Sequence, residues 1–169
     1  MRQTYSFKYI STLGFTLIEL TLVIFFMALI AGLSTPFIMS TLDRMELQTS
    51  ARKVASTLRY ARSEAIASKK PVVFLGNLTQ NQYGIDQKYR NKTSKMRTLT
   101  DPVRLTHFRN KEENNTYGDD GEFTVTFFPQ GNSSGGLIGM DIKGQKKTKS
   151  YYAITIDPIT GSTKIKKAE

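Results

Sequence analysis

The residue best placed to do chemistry is a single carboxylate. Glu19 lies near the start of an apolar run that opens at Phe15 and continues to about Ile38. A carboxylate inside hydrocarbon is costly unless it is paired or neutral, so its position calls for a partner charge. The run itself is long enough to cross a bilayer, which takes about 20 apolar residues in a helix. The spacing Gly131-Asn132-Ser133-Ser134-Gly135 satisfies the G-x-S-x-G pattern of hydrolase nucleophiles. That chemistry needs a strand–elbow–helix context and a histidine partner. Here Pro129 precedes the motif, a strand is expected after it, and His107, the one histidine, has no assigned partner. The segment reads as a hairpin turn and the chain as a non-enzyme. One His and no Cys argue against a zinc site, and no cofactor is implied. Asp119, Asp120 and Glu122 sit in a loop that suits calcium by ligand type, but EF-hand spacing is absent.

The remaining candidates are cationic. The chain of 169 residues carries a formal charge of +10, which fits a polyanion, an anionic membrane surface or an acidic partner. Lys146, Lys147 and Lys149, beside Lys143 and before Tyr151 and Tyr152, form the densest cluster. Lys164, Lys166 and Lys167 join it if the last two strands pair. Aromatics beside lysines would suit single-stranded nucleic acid; the bland alternative is a solvated hairpin loop.

The elements that must carry these groups follow from periodicity. A helix is expected from Phe15 to Ser68, with Pro36 as a kink because proline removes a backbone hydrogen bond. Beyond it Leu47, Ala51, Val54, Leu58, Ala61 and Ala65 recur at alternating spacings of about four and three, one buried helix face. Alanines on that face predict close packing against a sheet. Arg44, Arg52, Lys53, Arg59 and Arg62 fall mostly off it and read as a solvated face. Pro71 ends the helix, since the residue before proline avoids the α region. Short strands are then expected at Val72–Leu75, Gln82–Asp86, Val103–Phe108, Glu122–Phe128, Leu137–Ile142, Tyr151–Ile156 and Thr163–Lys166. Gln87 to Thr100 is polar and weakly patterned and reads as a loop, as does Asn110 to Gly121. The fold class is α+β: a long N-terminal helix packed on an antiparallel β-sheet head.

Three readings of the opening stretch compete. A cleaved secretory signal would need a shorter apolar region and an Ala-x-Ala site. A plain anchor leaves Glu19 unexplained. The sequence Gly14-Phe15-Thr16-Leu17-Ile18-Glu19 resembles the signal of type IV prepilins and type II secretion pseudopilins. The resemblance implies cleavage between Gly14 and Phe15 by a membrane aspartyl peptidase and N-methylation of Phe15. It also implies pairing of Glu19 with the amine of an adjacent subunit, which sets axial register. Leu58 to Ile66, Phe127 to Gly136 and Ile156 to Gly161 are similar to the GspH/FimT class of minor pseudopilins and pilins, a type IV pilin-like fold. Ser162 stands where members of that class often have Arg. The implied domains are a leader at 1–14, a transmembrane segment at 15–38, an amphipathic continuation at 39–70 and a periplasmic head at 71–169. The implied function is a minor pseudopilin of the type II secretion system; the alternative is a FimT-like pilin serving pilus assembly or DNA uptake. The implied partners are other pseudopilins or pilins, the prepilin peptidase, the bacterial inner membrane, an exported protein and, through the terminal lysines, DNA.

Overall fold

The computed structural model describes residues 14–86, 94–110, 116–117, 120–144 and 151–168. Among the described residues one helix, α1 (Leu17–Ser68), precedes nine strands. The chain divides into two compact units at Met39/Ser40. In the first, every described side chain from Gly14 to Leu33 is exposed.

α1 starts two residues later than expected. Thr16 acts as its N-cap: the Glu19 amide donates to Thr16 Oγ1 at 3.2 Å, satisfying one of the orphan N–H groups of the first turn. The helix assignment runs through Pro36; the expected kink concerns a side chain outside those described. α1 ends where Lys69 turns left-handed, with φ of 53°, and Lys70-Pro71 follows.

In the second unit the strands form two antiparallel sheets. The first has the order β3-β2-β1-β6: β1 (Val72–Asn77), β2 (Gln82–Ile85), β3 (Lys95–Thr98) and β6 (Glu122–Phe127). The second has the order β5-β4-β7-β8-β9: β4 (Val103–Arg109), β5 (Thr116–Tyr117), β7 (Gly136–Ile142), β8 (Tyr151–Ile156) and β9 (Thr163–Ala168). Two of these strands arise where loops were expected. β3 is a polar edge strand whose order comes from main-chain pairing with β2; it lacks the apolar alternation that marks a strand in sequence. β5 is only two residues long and borrows its order from the end of β4.

The Gly131–Gly136 segment is also more than a hairpin. Phe127 pairs with Ser133 in an isolated bridge, and the Ser134 amide reaches Thr126 O at 2.9 Å. The chain then leaves the first sheet and enters the second as β7. It therefore folds back for one step and crosses between sheets.

The core lies between the α1 stripe and the inner faces of both sheets. Leu47, Ala51, Val54, Ala55, Leu58, Ala61 and Ala65 of α1 are wholly buried in one cluster with Phe74, Val125, Phe127, Ile138, Met140 and Ile154. Burying each larger aliphatic side chain contributes about 1.5–3 kcal/mol. The two sheets meet through Phe108 of β4 and Phe123 of β6, whose rings stack nearly parallel with centroids 4.4 Å apart. Phe123 also packs on Phe74, at 6.3 Å. A β-bulge between Leu105 and His107 shifts the register of β4 against β7. Alternation would otherwise point Phe108 outward; the extra residue lets Leu105 and Phe108 both face the core. Asn81, with φ of 53°, ties the sheets by polar contacts: its Oδ1 accepts from the Leu105 amide and its Nδ2 donates to Val103 O.

The Phe123 ring lies over Gly76, where a Cβ atom would collide with it. Stacking on Phe108 and Phe74 leaves the ring little room to retreat. Gly76→Ala is expected to lower stability by about 1–3 kcal/mol, as overpacking does. Thermal or denaturant unfolding of the detergent-solubilised chain checks this; an unchanged midpoint would refute the packing argument.

Candidate functional site

The first candidate region is the start of α1. Gly14 and Phe15 precede the helix, and Phe15 is 85% exposed. Glu19 lies in the first turn and is exposed. Its spacing from Thr16 is that of a capping box, of which the Thr16 half is formed. A carboxylate in the first turn is favoured by the helix dipole. Thr16 is the residue that sequence reading passed over here; its signal is Thr three residues ahead of Glu.

The second region is the end of the head where turns gather on α1. Arg59 Nη2 donates to Thr163 O at 3.3 Å, and Arg62 Nε donates to Gly131 O at 3.0 Å. Arg59 stays on the exposed face and touches the head through its bond to Thr163 O, whereas Arg62 is half-buried and leaves the solvated face. Arg62 holds the crossover turn after β6, and Gly161 of the last turn packs against Gly131 and Arg62 so closely that it leaves no space for a side chain. Gly161 also has φ of +61°, which a side chain would strain. Within that last turn the Asp157 carboxylate accepts from the Thr160 amide at 2.8 Å and its hydroxyl at 3.0 Å, and from the Ile159 amide at 3.0 Å. The Thr160 bonds, with smaller help from Ile159 and Lys164, hold it below the usual carboxylate range. Arg62 was missed because an arginine off the apolar stripe looks the same in sequence whether it meets water or a carbonyl.

The hydrolase-like spacing is structural. Ser133 is 6% exposed; its hydroxyl donates to Asp157 O and accepts from the Gly135 amide. His107 is engaged elsewhere. Its Nε2 lies 2.8 Å from the Tyr151 hydroxyl, its Nδ1 3.1 Å from Thr106 Oγ1, and its ring stacks on Tyr151 with centroids 5.6 Å apart. The two rings meet across β7 at Gly139, the residue paired with His107, where a Cβ would strike the imidazole. Beside them Arg104 binds Asp141 through both carboxylate oxygens, at 2.8 and 3.3 Å. Burial, partly opposed by Arg109 and aided by Asp141, pushes the Tyr151 phenol up.

The basic residues separate. Lys146, Lys147 and Lys149 lie outside the described residues, as does Asp119. β8 and β9 do pair, from Tyr151↔Ala168 to Ile156↔Thr163. Lys164, Lys166 and Lys167 are all exposed on β9. Strand alternation puts Lys164 and Lys166 on one face, and Lys167 on the face of partly buried Ile165. Sequence proximity had grouped three lysines that the strand divides.

Against known proteins, the model of a family described as type II transport protein GspH matches residues 50–160. Type II secretion system protein H of Xanthomonas campestris pv. campestris is 27% identical over 151 residues, covering 89% of this chain and 81% of that protein. Among solved structures, the minor pseudopilin EpsH from the type 2 secretion system of Vibrio cholerae superposes with a TM-score of 0.58 at 15% identity, over 73% of this chain and 97% of that one. The type IV minor pilin FimU of Pseudomonas aeruginosa gives 0.51 at 16% identity, over 75% and 90%. At these identities the solved structures establish the fold.

Two outcomes are expected. Arg62→Met keeps much of the apolar stem and leaves Gly131 O without its donor, so stability should fall by about 1–3 kcal/mol; unfolding curves that match the wild type would remove Arg62 from the clamp. For Tyr151 the folded pKa is raised, so the fold favours the neutral phenol. That contribution is present in full below the unfolded value, about pH 10, and is lost as pH rises through the folded value. Wild type should therefore lose stability relative to Tyr151→Phe over that alkaline range, and parallel pH profiles for the two would contradict it.

Proposed function

The chain belongs to the GspH family of type II transport proteins, as a minor pseudopilin of the type II secretion system, and we propose that it acts by assembly. One observation carries this reading: the two parts of α1 are built for different surroundings. From Leu17 to Leu33 its side chains are exposed and mostly apolar. From Leu47 to Ala65 it buries a stripe in the core of the head. A segment of the first kind needs lipid or other apolar helices around it, whereas the second already has its cover.

In the proposed sequence of events, residues 1–14 are a leader that a prepilin peptidase removes between Gly14 and Phe15. Phe15 becomes the N-methylated terminus. Residues 15–38 span the inner membrane, 39–70 continue the helix, and 71–169 form the periplasmic head, with Pro36 as the point of give between span and head. Exposure of Gly14 and Phe15 ahead of the helix suits access by a peptidase. The subunit then leaves the bilayer for a bundle of other pseudopilins. Glu19 supplies register there. Its own amide is satisfied by Thr16, but the apolar stretch from Phe15 to Ile38 holds no Lys or Arg, so the new amine on Phe15, one helical turn away, is the one cation that stretch offers its carboxylate. The amine of a neighbouring subunit provides a second, and a charge pair in that setting is favourable only when the axial stagger brings the two groups together. The chain does no bond-making of its own. An exported protein is a further partner of the assembled structure.

Glu19→Ala should leave peptidase cleavage and membrane insertion unchanged and abolish incorporation into the pseudopilus. Fractionation of sheared filaments, with cleavage followed by the mobility of the mature chain, tests this directly. Normal incorporation of the variant would sink the register role.

A further inference from the structure

The outer face of the second sheet carries a cleft. Alternation along β7 sends Ile138, Met140 and Ile142 into the core and leaves Leu137 half-buried on the opposite face. Register then aligns Arg109, Leu137, Thr155 and Lys164 in one row across β4, β7, β8 and β9. Along this row opens a cleft of about 170 Å³, lined by Arg109, Leu137, Thr155, Gly135, Asp157 and Pro158 among others. Gly135 and Pro158 press together at one wall, where a Cβ on Gly135 would come 3.1 Å from Pro158 Cβ. The lining is mostly apolar, and its charges sit at the margin.

Those charges are unequal. The Asp157 carboxylate is committed to Thr160 and Ile159 and faces Lys164. Arg104, on the same strand as Arg109, is bound through both nitrogens of its fork to Asp141. Arg109 is exposed, and among the described residues its guanidinium makes no hydrogen bond and no ion pair. What the cleft offers a ligand is therefore an apolar floor with an unused planar donor at its edge. A carboxylate takes up such a fork bidentately, and an apolar side chain next to it removes Leu137 and Pro158 from water.

We propose that this cleft receives an extended segment of another protein, one that places an aliphatic side chain on Leu137 and a neighbouring carboxylate on Arg109. The cleft has room for one side chain of that size, so recognition is of a short motif rather than a broad surface. The proposal rests on the lining alone and stands or falls independently of the role of Glu19.

The test uses the full chain in zwitterionic detergent micelles, with the backbone amides of Leu137 and Thr155 followed by NMR. The probes are N-acetyl-leucine, its neutral amide and acetate. N-acetyl-leucine should shift both resonances saturably. The amide should bind about tenfold more weakly, the size of one charge-assisted pair. Arg109→Gln should weaken the acid about tenfold and leave the amide unaffected, with the rest of the spectrum unchanged as the check on folding. The proposal is overturned if no resonance in the cleft shifts, if acetate alone does as well as N-acetyl-leucine, if acid and amide bind alike, or if Arg109→Gln binds the acid normally.

Discussion

The head exists because one face of α1 cannot be left wet. Leu47, Val54 and Leu58 have no exposed surface, and Ala51, Ala55, Ala61 and Ala65 between them are equally buried. The small residues let β-strands come close to the helix axis, and the large ones fill the space between strands. The two sheets cover the stripe together: Phe74, Val125 and Phe127 come from one, and Ile138, Met140 and Ile154 from the other. The chain must then cross between the sheets, as it does after β3, β5 and β6, and the last crossing, after Phe127, is a turn that Arg62 of the same helix holds in place. The helix thus supplies both the apolar surface that gathers the sheets and the cation that fixes one of the crossings between them.

The legible parts of the sequence were those where burial imposes a period. The α1 stripe and the alternation Phe123, Val125, Phe127 are each visible because one face meets core and the other does not. β3 was not legible for the opposite reason. Lys95, Met96, Arg97 and Thr98 form an edge strand whose order comes from main-chain bonds to β2, and main-chain bonds leave no trace in side-chain identity. Charged residues at such an edge also discourage pairing with other chains. The bulge in β4 hid in a similar way. Leu105 and Phe108 both face the core, an odd spacing that strict alternation forbids, and only the pairing with β7 reveals the inserted residue. The terminal lysines show what sequence spacing leaves open. Nearness in sequence grouped Lys164, Lys166 and Lys167, and a strand assigns neighbours to opposite faces.

The polar groups of the head are largely satisfied from within. Asp141 has Arg104, Asp157 has Thr160, His107 has Tyr151 and Thr106, and Ser133 has Asp157 O and the Gly135 amide. Each of these residues would score as chemically suggestive in a list of side chains. Their partners show that the suggestion is spent on structure, which is the ordinary fate of a buried polar group. A functional reading gains weight from the reverse situation, where a charged group in a specific setting has no partner in its own chain.

Among the described residues Glu19 and Arg109 are in that situation, at opposite extremes of environment. Glu19 stands in an apolar stretch where an unpaired carboxylate is costly, so its need for a partner is thermodynamic. Arg109 stands at the surface, where water satisfies a guanidinium well enough, so its lack of a partner is not costly and by itself implies nothing. The difference at Arg109 is made by Leu137, Thr155 and Pro158, which give it an apolar neighbour that water serves poorly. A partner drawn to the first group joins the chain to an assembly under strict geometry, because a charge pair in low dielectric weakens quickly when the stagger is wrong. A partner drawn to the second gains mainly from apolar contact, with the charge choosing among candidates. On the two proposed roles, the helix holds the chain tightly in a fixed lattice of neighbours while the head samples segments weakly and reversibly.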